Sequence, residues 1–124
     1  MTKWSFILVL LSVMLSSGAQ LLLKAGMTND AVQRALASGR GLLIIPSIAG
    51  SPSILAGLAA FAVSVLTWLF VLSKVDVSQA YPAVAFGIVV TALGGFLFFG
   101  EALNSIRILG IIIVVIGVAV VAVS

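Results

Sequence analysis

The chain has 124 residues, of which 63% are hydrophobic and 7% charged, with a formal net charge of +3; globular chains hold about 45–50% apolar and about 25% charged residues. Six basic and three acidic side chains cannot cover a soluble domain of this size, and the basic residues are scattered rather than gathered into a nucleic-acid patch, so a globular enzyme, a disordered tail and a nucleic-acid module are all excluded. Cysteine and histidine are absent, which removes disulfides, thiolate metal sites, Cys nucleophiles and the commonest general base.

The expectation is an all-α integral membrane protein, with no metal site, no cofactor and no catalytic residue. A crossing helix needs about 20 apolar residues. The charges divide the sequence into pieces of that size, at about 4–25, 53–73, 78–99 and 105–123, which gives one domain of four transmembrane helices.

The first segment carries no charge over 4–23. Ser17-Gly18-Ala19 imitates a signal-peptide cleavage site, but the apolar run resumes at Leu21-Leu22-Leu23, so a retained span is expected. Ser12, Ser16, Gln20 and Lys24 recur every four residues and form one polar stripe, which Ser5 extends. In one reading the stripe is a substrate track, with Gln20 hydrogen-bonding and Lys24 holding an anion. In the other, the serines bond their own backbone, Gln20 ties helices together and Lys24 snorkels to the interface. Packing is favoured for the serines and binding for Gln20 with Lys24.

The connection over 27–51 is long. Asn29 or Asp30 can cap a short helix through Ala37, and Gly39 can end it, with Arg34 and Arg40 at the interface. Leu42-Leu43-Ile44-Ile45-Pro46 is too apolar for water and is expected on the membrane surface. A loosely ordered loop is the alternative.

Ser51-Pro52-Ser53 reads as an N-cap with Pro in the first turn, opening the second helix. Gly57, Ala60, Ser64 and Thr67 give that helix a small-residue stripe. The link over 73–78 is short, so helices 2 and 3 form a tight antiparallel pair. Helix 3 has Tyr81 at its start and Pro82 one turn in, where a missing backbone donor should kink it. Ala80, Ala83, Gly87, Thr91 and Gly94 share a smooth face. Glu101 follows Gly100 and has Arg107 or Lys24 as a possible ion-pair or gating partner. Helix 4 is uniformly apolar, with Gly110 and Gly117 one heptad apart as a dimer seam.

Asp30, Asp76 and Glu101 all fall at span boundaries. The embedded carboxylate that a proton-coupled cation pump needs is therefore missing. Lys3 and Lys74 lie on one side, and Lys24, Arg34, Arg40 and Arg107 on the other. The excess places loops 1 and 3 in the cytoplasm, by a margin small enough to allow dual topology.

Several stretches carry a resemblance. They are Leu15-Ser16-Ser17-Gly18-Ala19-Gln20-Leu21-Leu22-Leu23-Lys24, Trp68-Leu69-Phe70-Val71-Leu72, Ser78-Gln79-Ala80-Tyr81-Pro82, Gly100-Glu101-Ala102-Leu103, Leu109-Gly110-Ile111 and Ile116-Gly117-Val118. Together they resemble the drug/metabolite transporter superfamily in its four-helix, small-multidrug-resistance-like form. Gln20 and Lys24 with Ala80-Tyr81-Pro82 are similar to the aminoarabinose-phosphoundecaprenol flippase subunits. The small multidrug pumps carry a glutamate in mid-helix 1, where this chain has Ser16, so their proton/drug exchange does not carry over.

The resemblance implies movement of an undecaprenyl-phosphate-linked sugar, or the bare carrier, across a bacterial inner membrane. It also implies pairing as a homodimer or as a heterodimer with a related four-helix subunit. On that basis Lys24 holds the phosphate, and Arg34 or Arg40 captures the headgroup at the surface. Ser16 and Gln20 meet the sugar hydroxyls, Tyr81 adds a hydroxyl or stacking face, and Pro82 opens a lateral portal for the tail. The alternatives are an exporter of polyamines or drug-like cations, and a non-transporting membrane subunit of a partner complex.

Overall fold

The computed structural model describes residues 3–123, apart from the side chains of Tyr81 and Ala122. Every regular element among them is helical: α1 (Lys3–Met27), α2 (Asp30–Ser38), α3 (Gly41–Ala49), α4 (Pro52–Leu72), α5 (Val77–Ala80), a 3-10 segment (Tyr81–Ala85), α6 (Phe86–Phe99) and α7 (Ser105–Val123). Three stretches are long and apolar enough to cross a bilayer: Lys3–Met27, Pro52–Leu72 and Val77–Phe99. The apolar stretch described in α7, Ser105–Val121, is shorter. Four crossings are expected from the sequence, and three meet the criterion here.

The surface is apolar. Leu97 is 70% exposed, Phe98 74% and Phe70 68%. An apolar surface of that extent is stable in lipid and not in water.

The core is a narrow seam of small side chains. Val9, Val13, Val71, Val75 and Ala80 are buried together, flanked by Leu8, Trp68 and Ala83. The most extensive contact joins α1 and α4. Gly57 lets the two backbones approach, since a Cβ there would lie 3.1 Å from the Ala19 carbonyl oxygen and 3.1 Å from the Leu23 side chain. Lower down, Ser12 Oγ donates to the Ser64 carbonyl at 2.9 Å, and Ser64 Oγ donates to the Ser12 carbonyl at 3.2 Å. Both serines are buried, so the exchange forms a two-way clasp across the helix pair. Hydrogen bonds of this kind between membrane helices are worth roughly 0.6 kcal/mol each. Ser12→Ala and Ser64→Ala should each cost about that much in detergent unfolding, and the double variant should be close to their sum, because each acceptor is a backbone carbonyl that alanine keeps.

The connection over 27–51 is helical rather than a loose loop. Asn29 caps α2, its side chain accepting from the Ala31 N–H at 2.8 Å, and Gly39 ends it at φ 68° in the left-handed region. A second helix, α3, then occupies the apolar run, with Pro46 inside it and no buried residue. Leu42 is 91% exposed and Ile45 71%. A helix so apolar and so open suits a lipid boundary.

Ser51 caps α4, its hydroxyl accepting from the Ile54 N–H at 3.5 Å, with Pro52 in the first turn. The third stretch is broken rather than continuous. Pro82 lies in the 3-10 segment, where its ring and missing N–H disfavour α-helical bonding. Gly100 ends α6 at φ 64° and reverses the chain toward α7. α7 leans on the 3-10 segment and on α6.

Candidate functional site

The two flanks of α1 are taken by its neighbours. α4 covers one through Gly57 and Ser64. α6 covers the other, where a Cβ on Gly87 would lie 2.8 Å from Ser17 Oγ and one on Gly94 would lie 2.5 Å from Leu21 Cδ1. Two open faces remain between the flanks. At about 100° per residue, Ser16, Gln20 and Lys24 span roughly 80° of one, while Leu11, Gly18 and Leu22 lie on the opposite side.

These faces have different chemistry. The apolar one forms a groove of about 680 Å³, lined by Leu11, Met14, Gly18, Leu22 and Phe98 among others. None of the polar residues reaches it. The polar face forms a cleft of about 310 Å³ between Ser16, Gln20, Phe61, Gly87 and Thr91. A second cleft, about 340 Å³, is lined by Thr91, Leu103, Glu101 and Arg107. Ile88 and Thr91 border both, so the two clefts adjoin.

Within this path most hydroxyls are already engaged. Ser16 Oγ donates to the Val13 carbonyl at 3.0 Å, and Thr91 Oγ1 donates to the Gly87 carbonyl at 2.9 Å. The exposed Gln20 amide has no hydrogen-bond partner among the described residues. A carboxamide left open inside a membrane span is costly unless another surface or a ligand meets it.

Lys24 tops the face. Its Nζ lies 3.5 Å from Glu101 Oε1, with the two side chains 50% and 44% exposed. An ion pair so open contributes about 1 kcal/mol or less and separates readily. Glu101 reaches this position because the chain turns back at Gly100 and the Glu101 N–H donates to the Gly95 carbonyl at 3.1 Å. Arg107 borders the same cleft, and its Nη1 donates to the Ala102 carbonyl at 2.9 Å.

Ser16 and Gln20 thus share one cleft, Glu101 and Arg107 share the next, and Lys24 bridges to Glu101. Other candidates stand apart. Arg34 lies on α2, its Nε donating to the Asp30 carbonyl at 3.3 Å. Arg40 is exposed at the start of α3. Tyr81 opens the 3-10 segment, but its side chain lies outside the described residues. Pro82 is half-buried beside it. Gly110 and Gly117 face open space, with nothing within 4 Å of a Cβ at either. Sequence reasoning treated Thr91 and Gly94 only as parts of a smooth packing face and did not single out Phe61 or Gly95. The signal available for Gly95 was a glycine pair six residues ahead of an acid, next to a turn glycine.

Apolar helices long enough to cross a bilayer, with a polar path along one of them, define a multi-pass membrane protein. Two curated relatives agree. The chain is 30% identical over 109 residues, 86% of its length and 84% of the relative's, to the "Probable 4-amino-4-deoxy-L-arabinose-phosphoundecaprenol flippase subunit ArnF" of Yersinia enterocolitica. It is 31% identical over 67 residues, 54% of its length and 59% of the relative's, to the corresponding ArnE subunit of Aeromonas hydrophila. No family model and no solved structure matches the chain. The chain belongs to the family of these flippase subunits.

Proposed function

We propose that this chain is one subunit of a flippase that carries an undecaprenyl-phosphate-linked sugar, of the aminoarabinose type, across the bacterial inner membrane. The observation that carries this reading is the open polar face of α1, where Gln20 borders a path continuing to Glu101 and Arg107 and Lys24 pairs with Glu101. A polyprenyl tail remains in lipid while the headgroup crosses, so the protein has to shelter only the phosphate and sugar. A bare phosphate in low dielectric is expensive, and Lys24 offers it a cation at the end of the path. Gln20 offers both a donor and an acceptor to sugar hydroxyls. Arg34 and Arg40 are the surface cations that meet the headgroup first.

The helices packed on α1 leave its polar face open on one side. A related four-helix subunit, or a second copy, supplies the opposite wall, and the Gly110 and Gly117 face of α7 is the seam. Rocking of the two subunits then exposes the path to each leaflet in turn. The roles of Pro82 as a hinge beside the tail's exit and of Tyr81 as a headgroup contact belong to the same proposal.

The test is headgroup translocation in proteoliposomes, with the chain reconstituted alone and together with a related subunit. Labelled undecaprenyl-phosphate sugar is followed by its accessibility in the outer leaflet. Gln20→Leu should slow translocation about tenfold, as expected for one lost hydrogen bond to a polar ligand. Wild-type rates from that variant would remove Gln20 from the path. Absence of transport under both reconstitutions would favour a non-transporting role.

A further inference from the structure

Lys24 carries an anion already. Glu101 Oε1 is 3.5 Å from its Nζ, in the only ion pair among the described residues. The carboxylate is held there by a specific seat. A Cβ on Gly95 would lie 2.5 Å from Glu101 Oε2 and 3.0 Å from its carboxyl carbon, so the side chain folds flat over the bare Gly95 backbone. Glycine is a weaker helix former than alanine, and this space is what Gly95 provides in return. A second cation, Arg107, borders the same cleft as Glu101, and its guanidinium donates to a neutral carbonyl.

We propose that Glu101 is a resident counter-ion that a phosphate-headed lipid displaces from Lys24 and that Arg107 then receives. This rests on the reading of Lys24 as a phosphate site. The exchange follows from charge pairing at a membrane boundary. At a lipid boundary an ammonium awaiting substrate gains modestly from a partner, and so does a carboxylate that substrate expels. With Glu101 moving between two cations, neither state leaves an unpaired carboxylate. The exposed pair is weak enough for a phosphate dianion to replace it. Glu101 therefore lowers apparent affinity for the lipid phosphate and eases its release. Affinity and release trade against each other in any transporter, and here the trade is set by one carboxylate and the glycine beneath it.

The experiment is equilibrium binding of farnesyl phosphate to the purified full-length chain in detergent, with farnesol and inorganic phosphate as companion probes. Glu101→Gln should bind farnesyl phosphate about two- to fivefold more tightly than wild type, the range expected when a competing exposed ion pair is removed. Gly95→Ala should shift affinity in the same direction by crowding the carboxylate off its seat, and it does so while raising helix propensity. Arg107→Gln should weaken binding in wild type and have no effect in the Glu101→Gln background, since no carboxylate then needs a second partner. Farnesol binding should be unchanged throughout.

Equal or weaker binding by both Glu101→Gln and Gly95→Ala, with wild type binding farnesyl phosphate over farnesol, overturns the exchange and leaves the phosphate site standing. No preference for farnesyl phosphate over farnesol in wild type or Glu101→Gln overturns the phosphate site and the exchange with it. Inorganic phosphate binding as tightly as farnesyl phosphate also overturns the proposal, because the lipid then contributes nothing.

Discussion

Lys24→Ala is expected to lower headgroup translocation by about two orders of magnitude while leaving folding and membrane insertion intact. The two effects separate because they draw on different interactions. In the resting protein Lys24 contacts Glu101 through one exposed pair at 3.5 Å, whose loss costs about 1 kcal/mol or less. With a phosphate enclosed between subunits, the same ammonium becomes one half of a desolvated charge pair. Removing one partner of such a pair costs about 2–5 kcal/mol, and each 1.4 kcal/mol is roughly a factor of ten. Lys24→Arg keeps the charge and should retain a large part of the rate. The measurements are outer-leaflet accessibility of labelled headgroup in proteoliposomes and thermal unfolding in detergent on the same preparations. Normal transport by Lys24→Ala would remove the anion role. Lost transport together with lost stability would make Lys24 a structural residue.

Gly57→Leu should have the opposite profile, a large loss of stability without any change in site chemistry. A Cβ at Gly57 already lies 3.1 Å from the Ala19 carbonyl oxygen and the Leu23 side chain. Three further carbons have nowhere to go unless α1 and α4 separate, and that contact is the most extensive in the molecule. Overpacking of this kind costs about 1–3 kcal/mol, and the upper end applies because backbone blocks the way. The midpoint of denaturation in detergent measures it. Gly110→Leu is the companion, since nothing lies within 4 Å of a Cβ there. It should leave the monomer within about 0.5 kcal/mol of wild type. If α7 is the seam between subunits, the same substitution should shift the oligomer toward monomer.

Much of this architecture was legible from where the charges stop. Uncharged runs mark α1, α4 and the Val77–Phe99 stretch. Asn29 and Gly39 bracket α2 because a side-chain cap and a left-handed turn are local chemistry, readable from residue type. α3 was not legible as a helix. Pro46 within an apolar run argues for a break, and Arg40 gives α3 no side-chain cap. The site divides along the same line. The spacing of Ser16, Gln20 and Lys24 places them on one face whatever surrounds them. Which side of α1 stays open depends on where α4 and α6 pack, and that is tertiary information. The sequence leaves Glu101 to pair with Arg107 or Lys24, or to be solvated. The turn at Gly100 and the flat seat at Gly95 decide for Lys24. Ser12 belongs to the same stripe by spacing, yet the structure engages it with Ser64 rather than with the polar path.

The clasp between Ser12 and Ser64 has a mechanical meaning. It ties α1 to α4 by two neutral hydroxyl bonds, which neither pH nor salt loosens. The helix pair can therefore tilt as one stiff arm. Lys24 stands twelve residues beyond Ser12, about 18 Å along the axis at 1.5 Å per residue. A tilt of roughly 10° about the clasp sweeps the ammonium through roughly 3 Å by that leverage. The separation to Glu101 is 3.5 Å, so a small rotation at mid-membrane is enough to make or break an electrostatic contact at the rim.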